Sequence, residues 1–303
     1  MKVTLTGATG PLGRRLVGIL RRRGDDVTVL TRNPAKARDA FEDVAAIGWY
    51  PMSGPAPAEA LAGRDGVVHL AGETVAQRWS DETRARIHDS RETGTRNLVE
   101  GLRQLGEDQR PGVLVSSSAV GYYGKHGDEV VDESFGPGDD FLARVCVVWE
   151  REAQAAAGLG LRVANVRTGL VLSPDTGALE KMLPFFKLGI GGPVAGGDQW
   201  MPWIHVDDLV GLYVAALDRD GWSGPVNGSA PGPVTNKDFS RRLGKALRRP
   251  ALAPVPGFAV RLLYGDMAQI VIEGQRAVPK RPLELGYAFR HPDLDEALAD
   301  AVG

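Results

Sequence analysis

Short runs rich in β-branched residues recur along the chain, at residues 3–6, 27–31, 44–49, 67–71, 113–116 and 161–167, and each predicts a strand. Between them the apolar period lengthens to nearly four. Leu12, Leu16, Ile19 and Leu20 share one face of a predicted helix, and Ile87, Thr95, Leu98, Leu102 and Leu105 share one face of a longer one. Strands alternating with helices predict βαβ units around a parallel sheet, an α/β chain of the Rossmann-type doubly wound class with six strands. After residue 175 the pattern loosens into prolines and glycines, with a helix near 179–188 and another after the Thr235–Asp238 capping box. The expected organisation is a Rossmann domain over 1–175, rejoined by 203–230. Residues 176–202 and 231–303 form a small C-terminal substrate-binding lobe.

Composition narrows the function classes. The 303 residues carry a formal charge of −2, so neither a nucleic-acid footprint nor a basic, membrane-seeking face is expected. MKVTLTG enters a strand pattern at once, without the charged and apolar regions of a signal peptide, and no apolar run is long enough to span a bilayer. A cytoplasmic protein is expected. The lone cysteine, Cys146, excludes an internal disulfide, and the histidines lack ligand spacing, so no metal site is expected.

The segment TGATGPLG lies between the first strand and the first helix. Gly7 suits the tight turn, Gly10 the approach of backbone amides to a pyrophosphate, and Gly13 the close packing of helix on strand; Thr9 and Leu12 belong to the same turn. The second strand ends in VLTRNP, with Arg32 where an NAD site carries a carboxylate for the ribose 2′-hydroxyl. A guanidinium there pairs with a 2′-phosphate, which points to NADP(H), against the alternative of a solvated surface arginine. The fourth strand ends in Ala71 and Gly72, small enough for a backbone passing under a cofactor, and then Glu73, which either faces cofactor or substrate or caps the next turn. Trp79 and Arg91 follow near the expected pocket.

TGATGPLG, HLAGE, TGTRNL, SSSA and WIHVDDL together resemble the extended short-chain dehydrogenase/reductases. LAGE with RW, SAVGYYG, WE, RTGLVLS and the tail EGQRAVPKRPLELGYAFRHPDL resemble more narrowly its atypical epimerase-family branch, which carries a distinctive C-terminal segment. The resemblance implies that Ser118 meets a substrate oxygen beside the nicotinamide, that Ser116 lies nearer the cofactor, and that Arg167, Gly169 and Leu170 face the cofactor. It also implies a Tyr-x-x-x-Lys pair, and the chain departs from it: aligned on Trp149 and Glu150, the two positions hold Leu142 and Cys146. Leucine has no proton to transfer, and a thiol does not replace an ammonium. Tyr122 and Tyr123 are then the nearest hydroxyls for proton transfer.

Gln199, Trp200 and Trp203, on a glycine-rich stretch between the lobes, join Trp79 as substrate-binding candidates. Asp207 or Asp208 is expected to cap the following helix, and His205 to be structural. Extended members often dimerise through helices corresponding to 81–105 and 141–157, so a homodimer is an expectation. The resulting reading is an NADP(H)-dependent oxidoreductase or epimerase-like enzyme acting on a carbonyl or hydroxyl carbon of a small molecule. The alternative is an NADP(H)-binding sensor or scaffold with little turnover, motivated by Leu142 and Cys146.

Overall fold

The computed structural model describes residues 1–175 and 177–303; the expected lobe boundary at Thr176 lies outside the described residues. Seven strands, β1 (Lys2–Thr6), β2 (Asp26–Thr31), β3 (Ala45–Gly48), β4 (Gly66–His69), β5 (Val113–Ala119), β6 (Arg162–Thr168) and β7 (Gly224–Gly228), form one parallel sheet in the order β7-β6-β5-β4-β1-β2-β3. Leu5 pairs with Val29 on one side and Val68 on the other, and Val115 continues the row to Ala164. The strand order reverses between β1 and β4, and there the helices on either side diverge to leave a crevice at the strand C-termini. The seventh strand was not expected. GPVNG is short and carries Pro225, which only an edge position tolerates, and that is where β7 lies.

The helices that frame the sheet are α1 (Pro11–Arg22), α2 (Pro34–Ala40), α3 (Ala58–Leu61), α4 (Asp81–Arg103), α5 (Phe141–Gln154) and α7 (Val206–Asp218), while α6 (Gly177–Lys187), α8 (Asn236–Ala246) and α9 (Gly257–Tyr264) lie outside it. On one face Leu16 and Leu20 of α1, with Leu209, Leu212 and Ala216 of α7, close over Val3, Val29 and Val166. On the other, Leu98 and Leu102 of α4 and Ala153 of α5 cover Val67, Leu114 and Val163. A third core gathers Leu172, Leu183 and Phe186 with Met201, Trp203, Phe239 and Leu298. Helix α8 begins at the expected box, Thr235 Oγ1 accepting from Asp238 N. At α7 the expectation is corrected. His205 Nδ1 accepts the Asp207 N–H at 3.3 Å, while the buried Asp208 carboxylate takes the N–H groups of Arg290 and His291 and pins the C-terminal segment.

The end of β4 is held from inside. Thr6 Oγ1 accepts from Leu70 N and Ala71 N, so its own proton goes to His69 Nδ1 at 2.7 Å, leaving His69 Nε2–H to face Thr95 Oγ1 at 3.1 Å. Burial, and then the nearby Arg91 charge, push the His69 pKa from 6.5 down to about 4. The neutral ring therefore stabilises the fold above pH 6.5, and that contribution is lost as pH falls through about 4. A loss of roughly 3 kcal/mol is expected across this window. Tm measured between about pH 7 and pH 4 should fall less steeply in His69→Gln than in the parent chain; parallel slopes would locate the titrating group elsewhere.

Candidate functional site

The turn from β1 into α1 is built without side chains. Gly7 has φ +68°, and a Cβ there would stand 2.8 Å from the Leu70 carbonyl carbon; a Cβ on Gly13 would stand 2.5 Å from Gly7 O. Helix α1 starts with Pro11 behind Gly10, and no side chain caps it. Its first amides thus face the crevice with a positive helix end behind them, a fit to a pyrophosphate. Arg14 is exposed and donates to Thr9 O at 3.0 Å. Arg32, at the end of β2, is exposed and has no ion pair among the described residues, while its neighbour Asn33 caps α2. Half-buried Ala71 and exposed Gly72 leave the β4 end bare, as a passing cofactor requires. The Glu73 carboxylate accepts from Gln77 Nε2 at 3.0 Å, and the Glu73 N–H goes to Ser90 Oγ.

The serines part company by alternation along β5. Ser117 faces α7 and meets Tyr213 OH at 2.6 Å, whereas Ser118 faces α5 and donates to Glu150 Oε1 at 2.6 Å. Ser116 is fully buried, its hydroxyl bonded to Ser117 O, so its side chain is not directed to a cofactor. Arg167 is also redirected. It is 3% exposed and makes two 2.8 Å hydrogen bonds to the Glu150 carboxylate instead of lining the crevice. Burial works against its charge, but Glu150 reverses this and holds the Arg167 pKa above its ordinary value. Half-buried Leu170 pairs with Trp203 of the short strand Trp203–His205, with Leu170 N bonded to Pro202 O, and Gly169 lies against the same Pro202 carbonyl.

The two tyrosines separate sharply. Tyr123 is 0% exposed, donates to Asn227 Oδ1 at 2.7 Å and accepts from Arg167 Nη1 at 3.0 Å; burial pushes its pKa up to about 12. A phenol so committed cannot meet a substrate, which corrects the expectation for Tyr123. Tyr122 is half-buried, its ring lies 3.5 Å from the Arg167 guanidinium carbon, and its hydroxyl has no partner among the described residues. Leu142 packs beside Gly121, and Cys146 is buried, its Sγ 3.7 Å from Ala119 O and its pKa pushed up to about 12 by burial and by Glu150.

Three of the four substrate candidates are structural. Trp79 is buried against Phe141 with its indole N–H on Val75 O, Trp203 is 1% exposed with its N–H on Gly232 O, and the Gln199 amide joins Val194 O to Val271 O. Trp200 stays half-buried beneath Arg276, its N–H on Asp128. The histidines expected to be scattered are partly gathered. His205 and His291 stack at 3.9 Å, and His205 Nε2 lies 3.1 Å from Asp300 of the last helix, Leu294–Val302, which it ties down.

One residue was missed as a site member, Glu150, and another, Arg91, was placed near the pocket without a role. Glu150 served only as an alignment mark, yet it joins Ser118 to Arg167. Arg91 sits on the apolar stripe of α4, four residues after Ile87, and a cation there was the available signal. Its guanidinium is buried over Trp149 without a carboxylate partner among the described residues, donates to Glu73 O and Ile87 O, and comes within 3.3 Å of where a Gly72 Cβ would stand. Burial lowers its pKa, and Cys146 is among the groups it faces.

A doubly wound sheet whose first strand turns through bare glycines into an uncapped helix defines the Rossmann class. The NAD dependent epimerase/dehydratase family matches residues 3–227, and a domain of unknown function, DUF1731, matches residues 255–301. The chain belongs to this epimerase/dehydratase family. It is 42% identical over 298 residues to the chloroplastic SDR39U1 homolog of Arabidopsis thaliana, covering 98% of this chain and 86% of that protein. Identity to the epimerase family protein YfhF of Bacillus subtilis is 34%, over 100% of this chain and 98% of that one. The crystal structure of human epimerase family protein SDR39U1 (isoform2) with NADPH is similar at a TM-score of 0.88 and 34% identity, covering 99% of both chains.

Proposed function

We propose that this protein binds NADP(H) and acts as an oxidoreductase or epimerase-like enzyme on a carbonyl or hydroxyl carbon of a small molecule. The observation that carries the reading is the bare glycine turn leading to an uncapped helix, with exposed Arg32, free of ion pairs among the described residues, at the next strand end. The NADPH in the human relative supports it. Gly7, Gly10 and Gly13 would admit the pyrophosphate, Arg32 the 2′-phosphate, and Ala71 and Gly72 the passing nicotinamide ribose. Bound there, NADP(H) supplies hydride transfer at its nicotinamide.

Proton handling falls to the chain. Of the two adjacent tyrosines, Tyr122 is the one whose hydroxyl has no partner among the described residues, and Arg167, fixed by Glu150, keeps its ring in place. Ser118, donating to Glu150, presents lone pairs and so accepts a hydrogen bond from a substrate hydroxyl. Arg91, beside Cys146 and beneath Gly72, brings a cation to the region where the family's lysine would stand. The lobe of 176–202 and 231–303 is proposed to close over the substrate, with Trp200 at its edge. A cytoplasmic location and a homodimer also stand as proposals. For the dimer, Val145, Cys146 and Trp149 are inside the protein, and the outer face of α4 and α5 is instead a charge network of Glu92, Arg96, Arg151 and Glu152. No helix among the described residues is long and apolar enough to cross a membrane.

The test is NADPH oxidation and NADP⁺ reduction with a panel of carbonyl compounds, secondary alcohols and nucleotide sugars. Any active substrate should lose about 10²- to 10⁴-fold in rate in Tyr122→Phe, the usual effect of removing a positioned acid or base. Tight NADPH binding with no turnover across the panel favours the second reading, a cofactor-binding sensor or scaffold. Leu142 and Cys146, with Tyr123 bonded to Asn227, are the observations on its side.

A further inference from the structure

We propose that residues 185–190 and 248–264 form a docking surface for an anionic phospholipid bilayer, a role independent of the dinucleotide crevice. The two segments lie side by side: Gly189 is against Pro250, Gly192 against Ala253, and Val194 bridges Val255 in parallel. Together they expose what folding ordinarily covers. Leu188 is 74% exposed, Leu252 85%, Phe258 75% and Leu262 76%, and Phe185, Ile190 and Leu263 are also on the surface. On α9 only Val260 is buried, so this surface helix turns its apolar residues outward, the reverse of a helix lying on a protein in water. Eight of the fourteen exposed large apolar side chains among the described residues fall in these two short segments, which makes this a patch and not background scatter.

Charge selects the occupant. Lys187, Arg248, Arg249 and Arg261 are exposed and make no ion pair among the described residues, whereas nearby Arg241, Arg242 and Lys245 are paired with Asp238 and Asp295. Neither segment contains an aspartate or glutamate. In a twofold dimer through this face the same unpaired cations of two copies would be brought together. A layer of anionic headgroups neutralises them instead, while Phe258, Leu262 and Leu252 enter the boundary with the acyl chains. The chain's formal charge of −2 averages this patch away, which is why the sequence raised no expectation of a membrane surface.

The experiment is flotation of the full chain with vesicles of phosphatidylcholine alone and of phosphatidylcholine mixed with phosphatidylglycerol. The protein should float with the mixed vesicles and not with phosphatidylcholine alone, and added salt should release it. Arg248→Gln and Arg261→Gln should each weaken partitioning roughly fivefold, and the double variant Phe258→Ser/Leu262→Ser should abolish it. All of these positions are on the surface and none belongs to the glycine turn or the end of β2, so the NADPH-induced rise in Tm should persist in every variant, which also shows that each is folded. Absence of flotation, or equal flotation with both vesicle types, overturns the proposal. So does a dimer in light scattering that Phe258→Ser/Leu262→Ser dissociates, which would assign the face to a second copy.

Discussion

Replacing Arg167 with methionine is expected to destabilise the protein by about 3–5 kcal/mol, the usual consequence of removing one partner from a buried ion pair. The cost arises from what is left behind. Glu150 would remain mostly buried beneath Ser118 with no counter-charge, and Tyr123 would lose the donor at 3.0 Å that balances its bond to Asn227. Tyr122 would lose the guanidinium stacked on its ring. Lysine should rescue only in part, because a point charge cannot reproduce the two parallel hydrogen bonds to Glu150. Urea denaturation of the two variants measures this. A loss below about 1 kcal/mol, typical of an exposed pair, would mean that the network is far more hydrated than its burial indicates.

The second large effect is at Arg32. Its replacement by alanine should weaken NADPH about 10- to 100-fold, the worth of a charge-assisted contact to a phosphate, and leave NADH within about twofold. Only NADPH carries the 2′-phosphate, so the effect should appear as a smaller NADPH-induced rise in Tm and as a higher Kd by calorimetry. Arg91→Met provides the contrast. Placed beneath Gly72 on the side shared by both dinucleotides, it should weaken NADPH and NADH alike. An equal loss of both in Arg32→Ala would leave Arg32 as the solvated surface residue that the sequence also allowed.

How far the site was legible follows the range of the interactions. The glycine turn could be read because it is local: Gly7, Gly10 and Gly13 lie in one strand-turn-helix, and their lack of a Cβ is visible without any partner. The place of Arg32 could be read for the same reason, since the end of β2 is a fixed station in a doubly wound sheet, while its role awaits the measurement above. The hydroxyls could not. Tyr122 and Tyr123 are adjacent in the chain and equivalent on paper, but one meets Asn227, more than a hundred residues away, and the other does not. Trp79, Gln199 and Trp203 attracted a substrate role because aromatic and amide groups on loops suit recognition. Folding gave each of their N–H groups a backbone carbonyl instead.

By itself, then, the sequence determined the strand and helix periodicity, six of the seven sheet strands, the glycine turn and the departure from Tyr-x-x-x-Lys at Leu142 and Cys146. These are properties of neighbouring residues, set by backbone sterics and by the spacing of apolar side chains. The tertiary structure decided which polar groups are left over for chemistry. Buried donors and acceptors must find partners, and partners such as Glu150 for Ser118, Asn227 for Tyr123 and Thr6 for His69 come from distant strands and helices. The same folding leaves the Tyr122 hydroxyl without a partner among the described residues and the apolar, cationic face around α9 uncovered.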